Sequence, residues 1–126
     1  MSPHVRTFVI WAPRFLGLAA VGFMGLFALD AFDGGPLLEV LLNFGVHLLP
    51  AAIVGLAVAI AWRYPWAGAV GFGALAIGYV AMVPNRPDWI LSISGPLALL
   101  AVLFGISAAI GRTPPREVKH AAGHGA

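Results

Sequence analysis

Long apolar runs, cut at short intervals by proline, glycine and charge, set the organisation of this chain. Four stretches, residues 13–32, 37–62, 66–83 and 89–111, reach or approach the roughly 17 to 25 helical residues that a hydrocarbon core requires. Each is apolar around its whole circumference, as helices facing lipid are. The first is the tightest, because only residues 15–29 separate Arg14 from Asp30, about 22 Å of helix. Arg14 is therefore expected to snorkel toward one face and Asp30 to sit near the other.

The connections are short and rich in breakers: Asp33-Gly34-Gly35-Pro36, Arg63-Tyr64-Pro65 and Pro84-Asn85-Arg86-Pro87-Asp88. Such links make successive helices antiparallel neighbours, and the predicted fold is all-α, a compact bundle of four antiparallel transmembrane helices. The chain divides into an interfacial N-terminal segment at 1–12, the four-helix domain at 13–111 and a flexible tail at 112–126. Asp88 is predicted to cap the last helix. Leu29-Asp30-Ala31 only imitates a leader cleavage site: acidic Asp30 fits poorly and the apolar stretch merges into a full span, so retention is expected.

Composition removes a water-soluble reading. The chain has 126 residues, 60% hydrophobic and 10% charged, with a mean hydropathy of +0.93, where soluble domains are about a quarter charged. No cysteine is present, which excludes disulfides, thiolate metal sites and a cysteine nucleophile. A net charge of +2 would fit a nucleic-acid binder, but the cationic residues flank apolar segments, so topology explains them better. Arg6, Arg14, Arg63, Arg112, Arg116 and Lys119 fall on one side and only Arg86 on the other. By the positive-inside bias both termini are cytoplasmic, in a multi-pass membrane protein. Asp30, Asp33, Glu39 and Asp88 lie opposite, and Trp11, Trp62, Tyr64 and Trp66 form a belt on the cytoplasmic side, with Trp89 on the outer side.

Small residues recur every four positions: Ala51, Gly55 and Ala59, then Ala69 and Gly73, then Ala101, Gly105 and Ala109. These rows let helix backbones approach closely, either within one bundle or between copies of the chain or with a larger membrane complex. Pro50 and Pro96 stand inside predicted helices, where kinks are expected, or a freed carbonyl lining a polar cavity.

One polar constellation stands out. Glu39, Asn43 and His47 follow each other at four-residue steps, within about 80° of one helix face, and descend about 12 Å, placing His47 near the midplane with Pro50 beyond it. Three readings stay open. In the first, Asn43 and neutral His47 bond Ser92, Ser94 or neighbouring backbone and fix helix register. In the second, Asp30, Glu39, Asn43 and His47 mark a path or site for protons or metal cations. In the third, His47 is an axial ligand to haem or to a chlorophyll-type magnesium, a two-histidine haem needing a second chain. His47 is expected inside the bundle or at a protein contact, since hydrocarbon offers imidazole no partner. No cofactor is required by the sequence. Ser92 and Ser94 lack a base and an orienting acid, so no enzyme is predicted, and the expected role is an accessory or structural membrane subunit.

Phe27-Ala28-Leu29-Asp30-Ala31-Phe32, His47-Leu48-Leu49-Pro50, Ile60-Ala61-Trp62-Arg63 and Trp89-Ile90-Leu91-Ser92-Ile93-Ser94-Gly95-Pro96-Leu97 together resemble a bacterial family of small four-helix membrane proteins known only as a domain of unknown function. The resemblance runs from the first helix into the fourth and omits the tail; it implies four spans and no assigned activity. Small multidrug exporters fit poorly, because their membrane-embedded glutamate is missing from the first segment. Dual-topology fluoride channels also fit poorly, since positive charge here is strongly biased to one side.

Overall fold

The computed structural model describes residues 1–32 and 34–112. The proposed flexible tail, with Arg116, Lys119, His120 and His124, and also Asp33 lie outside the described residues. Four helices long and apolar enough to span a membrane carry the fold: α1 (Pro3–Phe27), continued by a 3-10 turn (Ala28–Ala31), α2 (Leu37–Arg63), α3 (Pro65–Met82) and α4 (Pro87–Arg112). The main packing contacts form a ring, α1 on α2, α2 on α3, α3 on α4 and α4 back on α1. The fold is thus an all-α membrane bundle.

Proline punctuation explains the boundaries. The residue before a proline is driven out of the helical region by the proline ring. Tyr64 (φ −127°, ψ 83°) separates α2 from Pro65, and Arg86 (φ −126°, ψ 75°) precedes Pro87 at the start of α4. Val83 (φ −131°, ψ 55°) ends α3 before Pro84. Gly34 turns the chain between α1 and α2 with φ +82°, a conformation that costs only glycine nothing. Asp88 is not the cap of α4: Arg86 holds that position and Asp88 lies in the first turn, its Oδ1 3.7 Å from Arg86 Nε. The carboxylate still sits at the positive helix end, as a dipole interaction.

The first helix begins well before Pro13. Ser2 caps it, its Oγ accepting from the Val5 amide at 3.4 Å, and Pro3 occupies the first turn, where a missing N–H is harmless. Pro13 is fully buried within the helix and does not end it. Pro50 likewise stands inside α2. Pro96 follows a π-helical segment, Ile90–Ser94, before the α-helical body Gly95–Arg112. A proline at that point has no N–H for the Ser92 carbonyl and crowds it; widening the preceding turn relieves the conflict.

The interior is built on two aromatic rings. Phe72 of α3 and Phe104 of α4 are fully buried and stacked, with centroids 5.7 Å apart and planes 3° from parallel. Val54, Val58, Ala61, Ala76, Leu97 and Leu100 surround them. The outer surface is apolar as well, with Phe8, Ile77, Leu91 and Met82 each more than 70% exposed. Water would not tolerate so continuous an apolar surface, and lipid covers it.

Small residues set the helix spacing. A Cβ added to Gly73 would lie 3.9 Å from Ala101, one on Gly105 3.7 Å from Ala69, and one on Gly55 3.8 Å from Val21. Ala51 is buried too, but Ala59 and Ala109 are exposed. Those last two face outward, where the rows also allow contacts between copies or with a larger complex. Each four-residue step rotates a helix position by about 40°, so a third member of a row leaves a straight seam. The seam of α2 follows Val54, Val58 and Ala61 instead.

Two buried serines behave oppositely. Ser94 Oγ donates to the Ala76 carbonyl at 3.0 Å, tying the π-helical segment to α3. Ser107 Oγ is buried without a hydrogen-bond partner among the described residues. Ser94→Ala is expected to cost about 0.6 kcal/mol, the usual worth of a bond between membrane helices. Ser107→Ala should instead leave stability unchanged or raise it by up to about 1 kcal/mol, since an unpaired hydroxyl is removed. Thermal unfolding in detergent separates them; equal losses in both variants would contradict the assignment.

Candidate functional site

The polar stripe of α2 is exposed, as is nearly all of the helix between residues 41 and 50. Val40, Ala51 and Val54, at nearly the same azimuth as Glu39, Asn43 and His47, are buried. His47 does not lie in the bundle interior. Among the described residues no polar group of α1, α3 or α4 bonds the ring. His47 Nδ1 is 2.9 Å from the Asn43 carbonyl of its own helix. Ser92 and Ser94 bond elsewhere, Ser92 Oγ donating to the Asp88 carbonyl at 2.8 Å and Ser94 to Ala76. The expected bridges between the stripe and these serines are therefore absent among the described residues.

Helix register also moves His47 from its predicted depth. The shortest span, α3, has 18 residues, about 27 Å, and its centre is near Gly73. The contacts of Gly73 with Ala101, and of Gly68 with Ala61, carry that level to Ala101 on α4 and to Gly55 and Leu56 on α2; Val21 of α1 joins it against Gly55. Measured along α2 from there, His47 is about 13 Å out, Asn43 about 20 Å and Glu39 about 25 Å. His47 is thus level with Met82 at the edge of the hydrocarbon, not at the midplane. The difference arises because the first turns of α2 overhang the end of α3, so Glu39 does not mark the membrane boundary.

The chemistry of the exposed stripe is specific. A carbonyl only accepts, so the Asn43 contact places the proton of neutral His47 on Nδ1 and leaves Nε2 as an acceptor directed away from the helix. Pro50 has no N–H to offer the Val46 carbonyl. Around Asn43 and Glu39 an open depression of about 380 Å³ is lined also by Gly34, Gly35 and Val40. Phe32 and Phe44, with ring centroids 5.2 Å apart, pack the same end. Asp30 is exposed on the 3-10 turn. Among the described residues no three His, Asp or Glu side chains come together to hold a metal ion.

A family model for a domain of unknown function, DUF7670, matches residues 1–116. The chain belongs to that family. No curated protein and no solved structure matches it. Membership in DUF7670 agrees with the resemblance read from the sequence and brings no activity with it, so chemistry has to be read from side chains.

The sequence reading of Arg14 missed its main contacts. Its guanidinium donates to the Ile10 carbonyl and, at 3.2 Å, to the Trp62 carbonyl at the end of α2, while lying 5.6 Å from the Trp11 ring centroid. Trp11 meets Trp62 edge-on at 6.1 Å. A cation thereby satisfies a carbonyl at the negative end of a helix and joins α1 to α2. Trp11 and Arg14, three positions apart and so on one helix face, were the available signal.

Proposed function

We propose that this membrane protein works as an accessory or structural subunit, through helix contacts with a second copy or with a larger membrane complex. The observation that carries the reading is the exposure of the α2 stripe. Asn43, His47 Nε2 and the Val46 carbonyl present polar groups on a stretch that the protein's own helices leave uncovered. At the hydrocarbon edge His47 Nε2 favours a polar partner over acyl chains, and Asn43 extends the same row outward. A conducting path through the bundle is disfavoured, because its axis is filled by Phe72, Phe104 and aliphatic side chains. Pigment ligation by Nε2 remains the second reading, since a backbone bond at Nδ1 is the arrangement that orients ligating histidines. The termini are placed in the cytoplasm on the charge bias, and the membrane is placed as a bacterial inner membrane on the resemblance read from the sequence.

The cysteine-free chain makes the test direct. Asn43→Cys should cross-link in native membranes, giving a dimer or a heavier conjugate, while Ile77→Cys on the lipid-facing side of α3 stays monomeric. Gly34→Cys in intact cells should react with an impermeant thiol reagent from outside, which checks the orientation. Uncross-linked Asn43→Cys, together with a monodisperse monomer that conducts cations in proteoliposomes, would overturn the subunit reading. Visible absorption lost in His47→Gln would select the pigment reading.

A further inference from the structure

The two ends of the bundle differ in how their charges are satisfied. At one end Arg86 lies 3.7 Å from Asp88 and 5.1 Å from the Trp89 ring centroid, and Asp30 and Glu39 lie at the same end. At the other end Arg6, Arg63 and Arg112 are exposed, and among the described residues no carboxylate accompanies them. Arg14 is already engaged with backbone carbonyls. Among the described residues three guanidinium groups thus lack a protein anion.

Their level identifies what meets them. From the plane through Val21, Gly55, Gly73 and Ala101, Arg63 is about 12 Å out, Arg112 about 16 Å and Arg6 about 22 Å. Trp11, Trp62, Tyr64 and Trp66 lie at about 10 to 15 Å, the depth of an interfacial aromatic belt. The hydrocarbon half-thickness is about 15 Å, so extended arginine side chains reach the phosphate layer. The register of Gly73 on Ala101 and Ala69 on Gly105, continued outward, brings Arg112 level with the Arg63–Tyr64 turn. Two exposed guanidiniums, at the ends of α2 and α4, therefore lie near the level of the start of α3, and the planar guanidinium fork matches a phosphodiester.

We infer that this end of the bundle binds anionic phospholipid headgroups in preference to zwitterionic ones, with Arg63 and Arg112 holding the phosphate and Arg6 adding to the field. Both lipid classes carry a phosphodiester, but a choline group brings a cation into an arginine cluster that has no carboxylate among the described residues to receive it. The inference is independent of the α2 stripe and of which side of the membrane the end faces.

Intrinsic tryptophan reports on the site. In a Trp89→Phe background the remaining tryptophans, Trp11, Trp62 and Trp66, all lie at the arginine end. The full-length protein in detergent micelles is titrated with phosphatidylglycerol or phosphatidylcholine, each brominated on its acyl chains. Half-quenching should need several-fold less phosphatidylglycerol. Arg63→Gln with Arg112→Gln should weaken phosphatidylglycerol by about five-fold per arginine, toward the phosphatidylcholine curve, while Arg63→Lys with Arg112→Lys keeps part of the preference and Arg86→Gln keeps all of it. Raising salt from about 0.05 to about 0.5 M must also collapse the preference in the parent, because the groups are exposed. Equal quenching by the two lipids in the parent, a preference insensitive to salt, or one retained by the helical double glutamine variant would each overturn the inference.

Discussion

Gly68→Ala is expected to destabilise the bundle by about 3 kcal/mol, the upper part of the range for overpacking. Local propensity argues the other way, since alanine is favoured over glycine in a helix by about 1 kcal/mol. Space decides the sign. A Cβ on Gly68 would overlap the Ala61 Cβ and come within 3.1 Å of Phe104 Cγ and 3.2 Å of the Ala61 Cα. Only Tyr64 stands between α2 and α3, so the two helices cannot separate near the turn without breaking it. Ala61→Gly should restore part of the loss, because the overlapping methyl goes while the other two contacts remain. Gly78→Ala on the same helix, with nothing within 4 Å of the added carbon, should be neutral or stabilising. Denaturant or thermal unfolding in detergent gives all four values, and parental stability in Gly68→Ala would refute the packing described for this turn.

Phe104→Ala should cost about 3 to 5 kcal/mol, the range for emptying a buried aromatic site. In a membrane this loss is mainly one of packing, because water was left behind at insertion and dispersion contacts hold the helices together. Phe104 touches both its stacked partner Phe72 and the crossing of α2 on α3. Phe72→Ala should cost a comparable amount, and the double variant less than both together, since the rings share one contact. Phe104→Leu keeps most of the volume and should lose under about 2 kcal/mol. A Phe104→Ala protein within about 1 kcal/mol of the parent would remove the stacked pair as the organising contact of the core.

The four spans and their antiparallel order were legible because prolines and short links dominate local structure, whatever the tertiary contacts. Pro65 and Pro87, read as breakers within the connections, instead open α3 and α4 as their first residues. The start of α1 was not legible: Pro13 and Arg14 look like an entry signal, yet the Ser2 cap and Pro3 let the helix begin earlier. The composition of the α2 stripe was visible, but neither its exposure nor its depth was. A helix apolar all round has no face that patterning can assign to lipid or interior, so His47 was directed inward by its cost in hydrocarbon alone. Its depth depended on how far α2 runs past α3, and that follows from Ala61 meeting Gly68, a contact between helices. Small-residue rows gave the α3 and α4 contact at Ala69, Gly73, Ala101 and Gly105, whereas Gly17 against Val58 belonged to no row.

The π-helical turn at Ile90–Ser94 makes α4 a single rod with two angular phases. A wide turn holds one residue more than the α-helical ladder would, which offsets everything before it by about 100° around the axis. The buried spacing Ser94, Leu97, Leu100, Phe104, Ser107 therefore governs only the body, and Trp89 and Arg86 take their azimuth from the inserted residue. In genetic terms, losing one codon within 90–94 is a phase change more than a shortening: the rod stays long enough to span, but its aromatic anchor swings to a different quarter of the lipid shell.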